Sequence, residues 1–388
     1  MKTRLWSLTL GNFAIGTGAM IIAGMLNDLT AGLHVTPAAI GAVISAFALT
    51  ICLGGPPLAG LTSRIERRPL LVACLGIYAL MHLLASLVSS YEMLLLVRVL
   101  TAIGAALFTS QAAASASLMV APSERGRAIA MVFLGWSISA VLGLPMGSWL
   151  GAHIGWRPTM ALVGLLSALC ALLVWRQVPA GLYVAPMDRA AWRALARHTP
   201  LLLTVAVTAV QAAGQFTVLS YLALLLRDSL AASPTLISLM FACFGIAGVS
   251  GNLLGMRFID RLGAARVVLL AMACMASAHA LWPLATGSTV LTAALIALWG
   301  LGCFSVNGIQ QARLVSLAPT LASASVALNS SAIYLGQAIG ALAGGALIAA
   351  GGSRWLPIAG SILIACAMLL SQWAAVKAAQ VRIAPGRA

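Results

Sequence analysis

The sequence predicts an all-α integral membrane protein of twelve transmembrane helices, arranged as two pseudo-symmetric six-helix bundles. Three observations carry this reading. Hydrophobic residues make up 62% of the 388 and charged residues only 7%, whereas an average soluble domain is about a quarter charged. Apolar runs of roughly 20 residues, enough to cross the bilayer's hydrocarbon, recur along the whole chain. Scarce residue types also repeat at an offset of 197, the separation of Arg64 from Arg261. That offset also superposes His82 on His279, Pro122 on Pro319, Gly143 on Gly340, Gly147 on Gly344 and Arg157 on Arg354. A duplicated unit places like residues at like depth, and two parallel copies related by an axis along the membrane normal produce this pattern.

The runs are read as helices because inside lipid only helices and closed barrels satisfy their own backbone groups, and they lack the alternation of barrel strands. The first, near 6–27, is too long and too glycine-rich for a cleaved signal peptide. The others are expected near 38–60, 70–89, 93–118, 127–152 and 158–176, then near 200–226, 233–256, 266–286, 289–312, 322–350 and 355–377. The most polar segment falls almost at the middle of the chain. It divides an N-terminal bundle, 1–178, from a C-terminal bundle, 200–388, with a cytoplasmic linker over 179–199. Pro145 lies inside the fifth helix, where a missing backbone N–H predicts a kink.

The net charge of +15 would point to nucleic acid in a soluble protein. Here it follows the spans instead, so no nucleic-acid partner is expected. All Lys and Arg except Arg98, Arg157, Arg227 and Arg354 fall at the N-terminus, in alternate loops or at the C-terminus. The positive-inside rule then places both termini in the cytoplasm. The seven cysteines lie in apolar runs without CxxC spacing, so they are read as packing residues, and no metal site or cofactor is expected.

Five segments resemble the major facilitator superfamily, and within it the drug and sugar efflux carriers similar to arabinose and purine-ribonucleoside exporters. AGLTSRIERRPLL, after the second helix, is similar to the superfamily's signature cytoplasmic loop, and NLLGMRFIDRLGAARVVLL to its second-half copy. RVLTAIGAALFT resembles the helix 4 Arg motif, VLGLPMGSWLG the antiporter Gly-Pro motif, and ALNSSAIYLGQAIGALAGG the helix 11 pattern of efflux carriers. The resemblance covers the whole chain. It implies a major facilitator fold and a monomer that exports small molecules across a bacterial inner membrane, exchanging them for protons by alternating access. Its partners would be a small-molecule substrate, protons and the lipid bilayer.

The resemblance also assigns residues. Small-xxx-small spacing, which lets helix backbones approach, marks Gly143, Gly147, Gly251, Gly255, Gly340 and Gly344, with Pro145, as a moving interface and hinge between the halves; static packing is the alternative. Arg64, Arg68, Asp260 and Arg261 match the cytoplasmic gate. The first copy departs from the motif, with Ser63 at the usual Asp position and Glu66 at the second Gly position. Glu124, after Pro122 and Ser123, reads as a cap of helix 5. By helix position the substrate cavity would be lined by Asn12, Thr17, Gln111, Gln211, Gln215, Tyr221, Asn307, Gln311, Asn329 and Tyr334, each equally able to bond a neighbouring helix.

Arg98 is the one cation well inside a span, where a charge is costly and usually functional, unless its long side chain snorkels outward. It is a coupling candidate together with Asp28 and Asp228, which close the first helix of each half. His82 and His279 are read as packing residues of peripheral helices. The middle of helix 1, where many relatives carry an acid, holds Gly18 and Ala19, and all seven acids lie at span ends or in loops. A facilitator or uptake carrier independent of protons therefore stays open beside the antiporter. A membrane-embedded enzyme or receptor is the reading from another class, and against it the sequence carries no HExxH or GxSxG motif.

Overall fold

The computed structural model describes residues 2–121, 124–183 and 189–383, and every regular element among them is helical. Pro122, Ser123, Asp188 and Arg387 lie outside the described residues. Eleven helical segments are long and apolar enough to cross a bilayer, and Ala264–Ala280 is a shorter apolar helix that completes the twelve. In chain order the first span is α1 (Lys2–Gly24) continued by α2 (Leu26–Leu33). There follow α3 (Pro37–Leu61), α4 (Arg67–Ala85), α5 (Tyr91–Leu118), α6 (Arg125–Ile138) with α7 (Leu144–Ile154), and α8 (Trp156–Gln177). A short helix, α9 (Arg189–Arg197), precedes the seventh span, which is α10 (Thr199–Leu219) with α11 (Leu222–Leu230). The remaining spans are α12 (Pro234–Leu262), α13 (Ala264–Ala280), α14 (Thr289–Leu317), α15 (Ala322–Ala349) and α16 (Leu356–Ile383).

The internal repeat is visible in local geometry. The first and seventh spans both break before their second segments, and both segments end on a left-handed residue, His34 (φ 54°) and Ala231 (φ 48°). Two residues later the Thr36 and Ser233 hydroxyls accept N–H bonds from Ala39 and Leu236, both at 3.2 Å. Pro37 and Pro234 then open the next helices. An αL residue that satisfies helix-end carbonyls, a hydroxyl N-cap and a first-turn proline together make a sharp corner. Each of these pairs is separated by the same offset as Arg64 and Arg261.

The fifth span shows what Pro145 does. Instead of a simple kink there is a π turn, Ser139–Gly143, in which the Leu144 N–H reaches back to the Ser139 carbonyl. The proline lacks a donor for the carbonyl four residues earlier and its ring crowds it, and the wider turn relieves both. Glu124 sits at the N-cap of α6, but its side chain makes no capping bond.

The described residues fall into two compact units: Met1–Pro186 with Tyr221–Ala242, and Met187–Ser220 with Cys243–Ala388. In unit 1 a line of glycines brings the fifth span against the first. A Cβ at Gly135 would meet the Thr9 carbonyl, at Gly143 the Thr17 side chain, at Gly147 Ile21, and at Gly151 Met25 at 2.6 Å. In unit 2 Gly340 of α15 lies against Ala213 and Thr217 of α10, while Gly251 and Gly255 of α12 face Leu301, Ser305 and Ile309 of α14. Gly344 is buried in α15. The close approach that each of these positioned glycines permits is therefore to a neighbour in its own unit. These contacts match the static packing that the sequence left as the alternative role for the same glycines.

The linker divides between the units. In unit 1 the Leu182 carbonyl accepts the Arg67 N–H at 2.9 Å, and Glu66 Oε1 accepts the Gly181 N–H at 2.8 Å. In unit 2 Leu195 of α9 is buried with Leu201, Val205 and Leu314.

Candidate functional site

The chemistry of a membrane-spanning interior lies in its buried polar groups, because apolar surroundings leave few partners for them. The most demanding is Arg98, 1% exposed in unit 1. It turns inward rather than snorkelling. Its NH1 donates to the Gly18 carbonyl at 3.1 Å and lies 3.4 Å from His82 Nε2. The guanidinium stands 4.3 Å from the Phe47 ring centroid, while Nε has no partner. His82 Nδ1 is 2.9 Å from the Tyr78 carbonyl, an arrangement that suits the Nδ1–H tautomer and leaves Nε2 to face Arg98. The Tyr78 hydroxyl donates to the Ile15 carbonyl at 2.8 Å. Gly18 forms the wall of this cluster, since a Cβ there would come within 2.5 Å of both His82 Nε2 and the Tyr78 hydroxyl. No ion pair joins Arg98 to an acid among the described residues. His82 is thus a contact of the buried cation and not only a packing residue. His279, its counterpart in unit 2, stacks edgewise on Trp299 at 4.7 Å, and neither of its ring nitrogens has a partner.

The expected cavity residues separate into bonded and unbonded groups. In unit 1 Asn12 is fully buried; its Nδ2 donates to the Val132 carbonyl at 3.0 Å and its Oδ1 accepts from the Thr109 hydroxyl at 2.7 Å. Thr17 Oγ1 and Gln111 Oε1 are buried without partners, and Tyr221 is fully buried. In unit 2 Gln211 Nε2 donates to Gln215 Oε1 at 3.0 Å, leaving Gln211 Oε1 unpartnered. The Thr208 hydroxyl donates to Asn329 Oδ1 at 2.6 Å, leaving Asn329 Nδ2 unpartnered. Asn307, Gln311 and Tyr334 are half-buried. The Asn12–Val132 and Thr208–Asn329 bonds occupy the same junction in the two copies, first span with fifth and seventh with eleventh, with the amide on the opposite partner.

Of the expected gate residues, Arg64 is exposed and Arg68 stacks over Trp175 at 4.8 Å. Arg67, 1% exposed, does more than set topology, because it donates to the Thr62 and Ser63 carbonyls, both at 3.0 Å, and so closes the loop. Asp260 and Arg261 are both exposed and form no ion pair with each other. Sequence reasoning missed Arg313, read as a loop cation. It is 5% exposed and donates to the Ser371 hydroxyl at 2.8 Å and the Ser371 carbonyl at 3.1 Å. It also missed Asn27, whose Nδ2 donates to the Ala223 carbonyl at 3.2 Å within unit 1. Neither had a local signal, since each partner is remote in sequence.

At the arginine-poor end of unit 1 the half-buried Asp28 sits on α2, past the membrane-crossing stretch Arg4–Gly24 of α1. Burial pushes its carboxyl above the usual range, and a backbone hydrogen bond partly offsets this. Asp228 is 48% exposed and its Oδ1 is held by Arg227 Nε at 3.2 Å.

The family model described as Major Facilitator Superfamily matches residues 8–225 and 204–385. The chain is 29% identical over 369 residues to the inner membrane transport protein YdhP of Escherichia coli strain K12, covering 94% of each. It is 28% identical over 379 residues to a probable sugar efflux transporter of Helicobacter pylori strain HPAG1, covering 96% of this chain and 95% of that one. Among solved structures, a bacterial homologue of the human lysosomal transporter Spinster, in an inward-facing and unoccupied conformation, is similar with a TM-score of 0.79. That likeness holds at 19% identity over 99% of this chain and 98% of the other. With the family model covering nearly the whole length and the two halves repeating the same helical corners, the chain belongs to the major facilitator superfamily and is a multi-pass membrane transporter.

Proposed function

We propose that the protein exports small polar or amphipathic solutes, such as a sugar, nucleoside or drug, across a bacterial inner membrane in exchange for protons. It would act as a monomer with its arginine-rich ends in the cytoplasm. The observation that carries the solute-binding part is the polar atoms that each unit by itself leaves without partners, Thr17 Oγ1 and Gln111 Oε1 in unit 1 and, separately, Gln211 Oε1 and Asn329 Nδ2 in unit 2. Buried polar atoms are nearly always hydrogen-bonded, so unmatched hydroxyl and amide groups in either unit call for a partner that matches them. Neutral hydroxyls and amides suit a solute carrying hydroxyl or amide groups of its own. The names of the relatives in Escherichia coli and Helicobacter pylori favour an inner-membrane location and efflux.

For coupling, Asp28 supplies a carboxyl with proton affinity raised by burial. Arg98 and His82 supply a buried cation whose hydrogen bonds to the Gly18 carbonyl and the imidazole hold α5 to α1 and α4. Asp228, neutralised by Arg227, is the weaker candidate. A facilitator independent of protons is the second reading, and it is favoured by Gly18 standing beside Arg98 where a relative would present an acid. Flux of pentoses, nucleosides and cationic dyes in proteoliposomes, with and without an imposed pH gradient, separates the two. Acceleration by the gradient supports exchange; indifference to it supports the facilitator.

A further inference from the structure

At the arginine-poor end of unit 1, a cavity of about 160 Å³ lies among the ends of the first and fifth spans, α11 and the start of α12. Its walls are of two kinds. Ala152, Ala223, Pro234 and Ile237 give it an apolar lining, while Asn27 and Asp28 bring hydrogen-bond acceptors. Asn27 commits its Nδ2 to the Ala223 carbonyl at 3.2 Å and keeps a buried Oδ1 with no donor. The Asp28 carboxylate has no ion-pair partner among the described residues. Arg227 also lines the cavity, but it is half-exposed and its Nε is held by Asp228 at 3.2 Å. That pair is close to neutral as a unit. What remains is a carboxylate with no cation beside it and an amide oxygen with no donor, next to an apolar wall.

We propose that this cavity is a binding site for a small alkylammonium ion. The –NH₃⁺ group, a compact cation with three donors, is shared between the Asp28 carboxylate and Asn27 Oδ1. The alkyl stem lies on Ala152, Pro234 and Ile237. The volume sets the size of the ligand, because an apolar cavity of about 150 Å³ accepts a molecule of roughly six heavy atoms. Binding here requires neither proton exchange nor any particular transported solute, so it stands or falls separately from the proposed function.

The test is titration calorimetry of the full chain in lipid nanodiscs with n-butylammonium, using 1-butanol as the neutral isostere. Saturable binding of the cation is expected, at least about tenfold tighter than the alcohol, since a charge-assisted bond to a half-buried carboxylate exceeds the roughly 1.4 kcal/mol that a tenfold change represents. Asp28→Asn is expected to weaken it at least about tenfold, Asn27→Ala to weaken it less, and Ala152→Leu to abolish it by filling the cavity. Affinity also falls as pH is lowered and Asp28 takes a proton; the other charged groups facing the cavity are Arg227 and its partner Asp228. Absence of saturable binding overturns the proposal, and so does binding that survives both Asp28→Asn and Ala152→Leu. Should Asp28→Asn fail to give a monodisperse protein, Ala152→Leu decides alone: retained binding places the ammonium elsewhere.

Discussion

Replacing Arg98 by Met removes a buried cation and keeps most of its volume. In the folded protein the guanidinium makes one charge-assisted bond to the Gly18 carbonyl at 3.1 Å, a longer contact to His82 and a stack on Phe47 at 4.3 Å. The bond contributes about 1.5–3 kcal/mol, and the stack about 2 kcal/mol when desolvated. Against this stands the several kcal/mol needed to bury an ion, with no acid among the described residues to offset it. The terms nearly cancel, and methionine adds its own burial while leaving His82 Nε2 without a donor. Arg98→Met is therefore expected to shift stability by no more than about 2 kcal/mol in either direction, read as the unfolding midpoint in nanodiscs. Transport per folded molecule, measured as initial solute flux in proteoliposomes, is expected to fall more than about tenfold, the change set by about 1.4 kcal/mol. Arg98→Lys keeps charge without the planar fork and recovers only part of the flux. A variant destabilised by more than about 4 kcal/mol whose remaining folded molecules transport normally would refute the reasoning, because Arg98 would then be a packing residue.

Other perturbations follow from the same geometry. Gly340→Val places a branched side chain against the Ala213 carbonyl and Thr217 N; overpacking is expected to lower stability by about 1–3 kcal/mol, visible in the melting temperature. Because burial raises the Asp28 carboxyl, the protonated form is favoured in the fold. Its stabilising contribution is complete below the ordinary carboxylate value near 3.9 and is lost as pH rises through the raised value; Asp28→Asn is expected to flatten this part of the Tm-versus-pH curve. Asn329→Ala removes the acceptor of the buried Thr208 hydroxyl. It is expected to cost about 1–3 kcal/mol, while Asn329→Asp, which keeps an acceptor, restores the hydroxyl's bond and identifies it as the source of the loss.

Most of the fold was legible because each span must carry its own apolar window, and the helices α3, α5, α8 and α14 begin within about four residues of where hydropathy placed them. The repeat was legible because Arg, His and Pro are scarce enough here to align. The breaks at Met25 and at Ser220–Tyr221 are not legible in the sequence, because Gly24 beside the first is one of many glycines within the spans and the second carries neither Gly nor Pro. Pro145 announced a disturbance, but not that it would become a π turn. Among site residues, Arg98 was found from its charge alone. Its contact with His82 was not, because the histidine was judged by its helix rather than by the depth it shares with the arginine. Arg313 and Asn27 depend on Ser371 and Ala223, and spacing along a chain does not encode which distant backbone a side chain will meet.

Exchange of a small solute for protons is tested most directly by solute flux in proteoliposomes with purified protein under an imposed pH gradient. The account predicts that a proton gradient drives solute against its own gradient, that a protonophore abolishes this, and that Arg98→Met is inactive. Downhill flux that proceeds equally with and without the gradient would contradict it and leave a facilitator in its place.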